Sequence, residues 1–159
     1  MPMSPDPGGV FDTLLGLARY GLGGHFGDGR QFMSWIHYDD FIAAVRWLIE
    51  RHDIDGVVNV ASPNPLPNTE FMRTLPQACG VPFGLPANKW MLEIGAVFMR
   101  TETELIPKSR RVVPARLLVH GFTFQYPDWR DAARDLCRQS TVARDKTLAA
   151  PETRCPAWR

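Results

Sequence analysis

The stretch Gly56-Val-Val-Asn-Val-Ala-Ser62, "GVVNVAS", follows an Asp-Gly turn and is apolar with no polar alternation. A short run of this kind reads as a strand buried on both faces, the type found in parallel sheets. Such a strand needs neighbours along its edges and helices over both faces. The rest of the chain predicts the helices but no second convincing strand of this type. The chain therefore looks like part of an α/β protein.

Upstream, Tyr38–Asp53, "YDDFIAAVRWLIERHD", is the clearest helix. Phe41, Ala44, Val45 and Leu48 fall on one face at helical spacing. Asp39 or Asp40 stands where an N-cap carboxylate would meet free amide hydrogens and the positive end of the dipole. Gly9–Tyr20 predicts another helix, with Phe11, Leu14, Leu15 and Ala18 facing inward. Downstream, Asn68 is placed to cap "TEFMRTLPQACG", which Pro76 should kink or shorten and Gly80 should close. Residues 87–105 predict one or two helices ending at Pro107, with Met91, Phe98 and Met99 as core positions. Pro114 opens a short helix closed by Gly121. "FTFQ" reads as a short strand, and residues 128–139 as a last helix. Beyond Ser140 the weak periodicity predicts a loose tail.

The second informative stretch is Gly21–Gly29, "GLGGHFGDG", which holds five of the chain's 13 glycines. A dinucleotide fingerprint requires G-x-G-x-x-G between a strand and a helix. Here Phe26 stands at the third glycine site, a helix precedes, and an extended piece follows. No Gly-Lys-Ser/Thr is present, so a P-loop also fails. A helix stop followed by a turn explains these glycines better than a phosphate cradle.

Composition sets the outer limits. With 159 residues, 45% hydrophobic and 22% charged, the chain can build one real core. A formal net charge of +1 offers no electrostatic case for nucleic acid or an anionic membrane. Lys108, Arg110, Arg111 and Arg116 read as a solvated helix face. Cys79, Cys137 and Cys155 are widely spaced and contain no C-x-x-C pair. That spacing argues against zinc or a disulfide framework and fits a reducing cytoplasm. No signal peptide or membrane-spanning run is visible.

"GLGGHFGDGRQFMSWIHYDDFIAAVRWLIE" followed by "GVVNVASPNPLPNTEFMRTL" resembles the later half of extended short-chain dehydrogenases/reductases, the NAD-dependent epimerase/dehydratase group. "RRVVPARLLVHGFTFQYPDWRDAARDL" is similar to the C-terminal domain of unknown function that closes one atypical branch of that group. The resemblance implies an incomplete doubly wound, Rossmann-like portion over residues 1–66. A mostly helical substrate-side domain then covers 67–139, and a flexible tail covers 140–159. Relatives of this kind use NAD(P), held partly by a Tyr-x-x-x-Lys pair. None of Tyr20, Tyr38 and Tyr126 has a lysine four residues on, and "MPMSPDPGG" resembles the family segment just after the catalytic helix. The expectation is therefore no catalytic residue and no cofactor in this chain, with NAD(P) in a full-length relative. The expected partners are a second copy or a separate cofactor-domain chain, meeting it along an exposed sheet edge. Nucleic acid and membrane are not expected.

Three residues stand out as substrate-cleft candidates. The "WIH-x-DD" segment lies near the active-site cleft in the family, which puts forward Trp35 and His37. Asn59 is polar within an apolar strand, either satisfying a nearby loop or facing a crevice at the strand's end. Helix capping accounts for Asp39 and Asp40 without a metal. Met33 stands where sugar-nucleotide epimerases often carry a phosphate-binding arginine, which weakens the case for a nucleotide-sugar substrate.

Overall fold

The computed structural model describes residues 1–19, 28–80 and 109–149, with side chains through residue 142. Helix α1 is Val10–Arg19, and Phe11, Leu14, Leu15 and Ala18 are its buried positions, as the 3.6-residue spacing requires. Strand β1, Pro2–Met3, pairs in parallel with β3, Ile36–His37. Strand β2, Phe32–Met33, pairs antiparallel with β4, Leu66–Pro67. The described fold is thus mixed helix and strand, of α/β character, with very short ladders.

Helix α2 is Tyr38–Ile49, and it begins one residue after β3. Its cap differs from the sequence reading. His37 is the N-cap, and its side chain accepts from the Asp39 backbone N–H. Asp39 and Asp40 lie inside the first turn, where they still complement the dipole. Helix α3 is Asn68–Ala78, so Asn68 is its first helical residue rather than its cap. The opening N–H groups of α3 find backbone carbonyls instead. Asn68 N–H donates to Gln31 O at 2.9 Å, and Thr69 N–H donates to Gly29 O at 3.1 Å. Gly29 has φ of +72°, a conformation glycine adopts without strain. Pro76 lies within α3, which ends two residues later, and Gly80 turns the chain with φ of +63°.

Helix α4 is Ala115–Val119, with Pro114 as its N-cap. Its end is a full Schellman closure around Gly121, whose φ is +84°. Gly121 N–H donates to Leu118 O and Phe122 N–H donates to Leu117 O. Leu117 and Phe122 supply the apolar contact that accompanies this closure. Helix α5, Trp129–Ala149, runs well past Ser140. The expected loose tail is therefore helical as far as Ala149. Residues 141–149 contain no glycine or proline, so nothing in the backbone stops propagation.

Two apolar clusters form. The larger joins α1, α3 and α5 through Phe11, Leu15, Phe71, Leu75, Trp129 and Leu136, with Trp35 beneath them. Trp129 is its centre: it stacks on Phe71 at 4.0 Å and meets Trp35 edge-on at 5.1 Å. The smaller cluster contains Ile36, Ala44, Leu117, Phe122 and Phe124.

The strand expected at 56–62 pairs with no strand among the described residues. Its side chains do alternate in burial. Val58 and Val60 pack on the smaller cluster, while Asn59 is exposed and Val57 is 83% exposed. "FTFQ" is likewise extended without a ladder, with Phe122 and Phe124 buried and Thr123 and Gln125 exposed. On α2, the buried positions are Asp40 and Ala44; Phe41 and Val45, expected inside, are exposed. Of the four positions selected by spacing, Ala44 and Leu48 face the smaller cluster, which Trp47 joins, while Phe41 and Val45 lie outside it.

The cysteine reading also changes. Cys79, just past α3, and Cys137, on α5, are in disulfide contact with a Cα–Cα distance of 5.4 Å. Their separation of 58 residues conceals a close approach that packing of α3 on α5 creates. The helix expected at 87–105, its core positions Met91, Phe98 and Met99, and most of the glycine stretch lie outside the described residues.

Candidate functional site

The densest cluster of polar chemistry lies where β3 runs into α2 and meets α5. His37 is fully buried at that junction. Its Nδ1 accepts from Asp39 N–H at 3.2 Å. In the neutral ring the proton therefore sits on Nε2. Nε2 points toward Asp135 Oδ2 at 3.4 Å, a close charge contact that falls short of hydrogen-bond geometry. Tyr126 stacks on the imidazole at 4.0 Å, and Tyr38 lies at 4.9 Å.

Helix α5 supplies the other half of this network. Gln139 donates from Nε2 to Asp135 and accepts from the Tyr38 hydroxyl at 2.7 Å. Arg138 also pairs with Asp135 from the same helix. Asp40 is nearly fully buried and accepts two backbone N–H groups, from Gln125 at 2.7 Å and Tyr126 at 2.9 Å. It thereby fastens the 125–126 turn, which carries Tyr126 over His37.

Burial pushes the His37 imidazole below its ordinary value, against the opposing pull of Asp39, Asp135 and Asp40. Burial raises the Tyr126 hydroxyl, with Asp135 and Asp39 adding to the effect. Tyr38 is raised by burial and then by Asp39. The cluster favours a neutral histidine between phenols that hold their protons.

His37, Asp39 and Asp135 bring one possible metal-ligand atom each within 4.8 Å of one another. The chemistry of the ring opposes a metal there. Nδ1 is committed to the α2 cap, and this commitment places a proton on Nε2, which removes the lone pair a metal would need.

The three residues put forward from sequence separate in space. Trp35 is fully buried in the larger cluster and donates from Nε1 to Asn64 O at 3.2 Å. His37 is fully buried in the network just described. Asn59 is exposed on the unpaired 56–60 segment, apart from both clusters' interiors. Sequence reasoning missed Tyr126, Asp135 and Gln139. The spacing of four between Asp135 and Gln139 places them on one face of α5, but nothing in the sequence ties that face to His37.

A mouse protein, epimerase family protein SDR39U1, is 35% identical over 130 residues, covering 81% of this chain and 43% of its own length. The chain matches the C-terminal part of epimerase family proteins. Residues 88–136 match the domain of unknown function DUF1731. The Bacillus subtilis epimerase family protein YfhF is 34% identical over 128 residues, covering 80% of this chain and 41% of its own length. Among solved structures, human epimerase family protein SDR39U1 (isoform 2), crystallised with NADPH, aligns with a TM-score of 0.69. Its sequence is 29% identical, over 86% of this chain and 45% of the human one. The chain thus spans less than half the length of these epimerase family relatives. Among the described residues, no helix is long and apolar enough to cross a membrane.

Proposed function

We propose that this chain is the substrate-side, C-terminal portion of an NAD(P)-dependent, short-chain dehydrogenase/reductase-type epimerase or dehydratase. It acts only when joined by a cofactor-binding half. Residues 1–66 are then the last units of an incomplete doubly wound, Rossmann-like sheet, and 67–139 the substrate-side domain. The observation that carries this reading is the uncovered apolar surface around the 56–60 segment and the outer face of α2. Val57 is 83% exposed and Ile49 71% exposed, and Phe41, Ile42 and Val45 join Ile49 on the helix. A sheet continuing beyond Val57, with α2 against it, would cover that surface.

In this reading Trp35 and His37 position the wall behind a substrate cleft, and Asn59 is the candidate that faces it. The compartment we propose is the cytoplasm, where the adjacent Cys79 and Cys137 would rest as thiols. The same exposed surface favours a second reading, a non-enzymatic module that pairs with itself or another protein. NADPH titration followed by fluorescence separates the two. The chain alone should show no saturable micromolar binding. Co-expressed with the N-terminal part of the Bacillus subtilis relative, it should co-purify, and the complex should bind NADPH. Micromolar binding by the chain alone, or no complex with that half, overturns the proposal. Stable self-association without any complex supports the second reading instead.

A further inference from the structure

The Cys79–Cys137 contact lies at a mechanically telling place. Cys79 is the C-cap of α3 and is half-buried; Cys137 is on α5 and 8% exposed. The Cα–Cα distance of 5.4 Å is within the span a disulfide bridges without backbone movement. The two helices already pack through the larger cluster, so the thiols stay adjacent when reduced. A bond here closes a loop over residues 79–137. That loop contains the whole 88–136 segment matched by DUF1731. Two residues before Cys137 on the same helix, Asp135 faces His37. Fastening α5 to α3 therefore also fixes the helix that completes the buried histidine network.

We propose that Cys79 and Cys137 form a reversible thiol–disulfide clamp that fastens α5 to the end of α3. The oxidant is a small-molecule disulfide. The Cys79 thiolate, the more exposed of the two, attacks one oxidant sulfur and releases one thiol. The Cys137 thiolate then attacks Cys79 sulfur in the mixed disulfide and releases the second thiol. Two protein thiols become one disulfide, and one oxidant disulfide becomes two thiols. A dithiol reductant reverses both steps.

The test uses the full chain carrying Cys155→Ser, which leaves one possible pair. The protein is treated with glutathione disulfide, alkylated, digested without reductant and mapped by mass spectrometry. The expected result is a linked Cys79–Cys137 peptide pair, complete loss of free thiol, and recovery of two thiols with dithiothreitol. Urea unfolding of the two forms should differ by roughly a thousandfold in the unfolding equilibrium, the size expected from closing a loop of this length. The double substitution Cys79→Ser, Cys137→Ser should unfold identically with and without oxidant. Two free thiols after oxidation, only mixed glutathione adducts, or equal unfolding of linked and reduced forms overturns the clamp. In the unsubstituted chain, a dominant link to Cys155 does the same.

Discussion

The two apolar clusters have similar residue types but opposite relations to their surroundings. The larger cluster is closed on every side that its helices present. Phe11, Phe71 and Trp35 are fully buried around Trp129, and α1, α3 and α5 each contribute their apolar stripe once. Among the described residues, the smaller cluster is closed on one side only. Val58 and Val60 turn toward Phe122 and Phe124, but Val57 and the outer stripe of α2 turn away into solvent. The first region holds together by its own residues. In the function proposed above, the second is a half-layer, apolar on the side where a sheet would continue. The difference teaches that, under that proposal, one continuous chain segment carries both a finished core and an unfinished one.

Breaking the finished core should have the largest effect. Trp129→Ala removes stacking on Phe71, edge contacts to Phe11 and Trp35, and a hydrogen bond from Nε1 to Phe71 O at 3.0 Å. We expect a loss of roughly 4 kcal/mol in urea unfolding. A loss below about 1 kcal/mol would mean that this cluster does not hold the fold. Next in size is Asp40→Ala. Two part-buried backbone N–H groups at 125 and 126 lose their acceptor, a cost of about 2 kcal/mol. Asp40→Asn should recover only part of it, since the amide can replace one of the two acceptor oxygens. Equal unfolding of wild type and Asp40→Ala would mean that the first turn of α2 does not hold the 125–126 turn in place.

How much of this was legible in the sequence differs between the two regions in the same way. The larger cluster's α1 stripe, Phe11, Leu14, Leu15 and Ala18, follows from local spacing, and packing agreed with it. The glycine closures at Gly80 and Gly121 were legible because positive φ is a local demand. The smaller cluster was half legible at α2, where apolar residues occupy more than one face. Spacing selected Phe41, Ala44, Val45 and Leu48; the described contacts cover Ala44 and Leu48, together with Trp47, and leave Phe41 and Val45 exposed. The run at 56–62 is apolar as read, with Val58 and Val60 packed on the smaller cluster and Val57 exposed. It was misleading as a ladder strand, because hydrogen bonding needs a neighbour that local sequence does not contain. The His37 network was only half legible. Its α2 side follows from "HYDD", but Asp135 and Gln139 arrive from about 100 residues away, a pairing that no local pattern encodes. A separation of 58 residues likewise hid the Cys79–Cys137 contact.

The histidine offers a finer probe of the junction between the regions. Burial lowers the folded-state affinity of His37 for a proton below that of the unfolded chain, whose reference value is 6.5. Below pH 6.5 the unfolded state therefore binds protons that the folded state refuses. Stability is full above this value and falls as the pH drops from 6.5 toward the lower folded value. His37→Gln keeps a side-chain acceptor for the Asp39 N–H but cannot titrate. Urea midpoints measured from neutral to mildly acidic pH should slope for wild type and lie flatter for His37→Gln. Parallel slopes would assign the acid sensitivity to other groups.

The smallest expected effect on stability is also the sharpest test of the half-layer. Ile49 is 71% exposed at the end of α2, with no place in either buried cluster. Ile49→Lys should change the unfolding free energy of the isolated chain by less than about 0.5 kcal/mol, as exposed substitutions generally do. Its effect on assembly should be of another order. If the outer face of α2 is where a cofactor-binding half packs, a lysine there brings a charge into an apolar contact. Its desolvation cost would then weaken association strongly. Co-purification with the N-terminal part of the Bacillus subtilis relative should drop at least tenfold, while the isolated chain unfolds as before. The same substitution at Val142, which is 49% exposed on α5 and far from that face in sequence, serves as the control. A variant that associates as well as wild type would leave the exposed stripe an ordinary surface, and the two regions would then differ only in composition. A variant that both fails to associate and unfolds early would show that Ile49 already has a packing role within the chain, so the half-layer is more nearly closed than its exposure indicates.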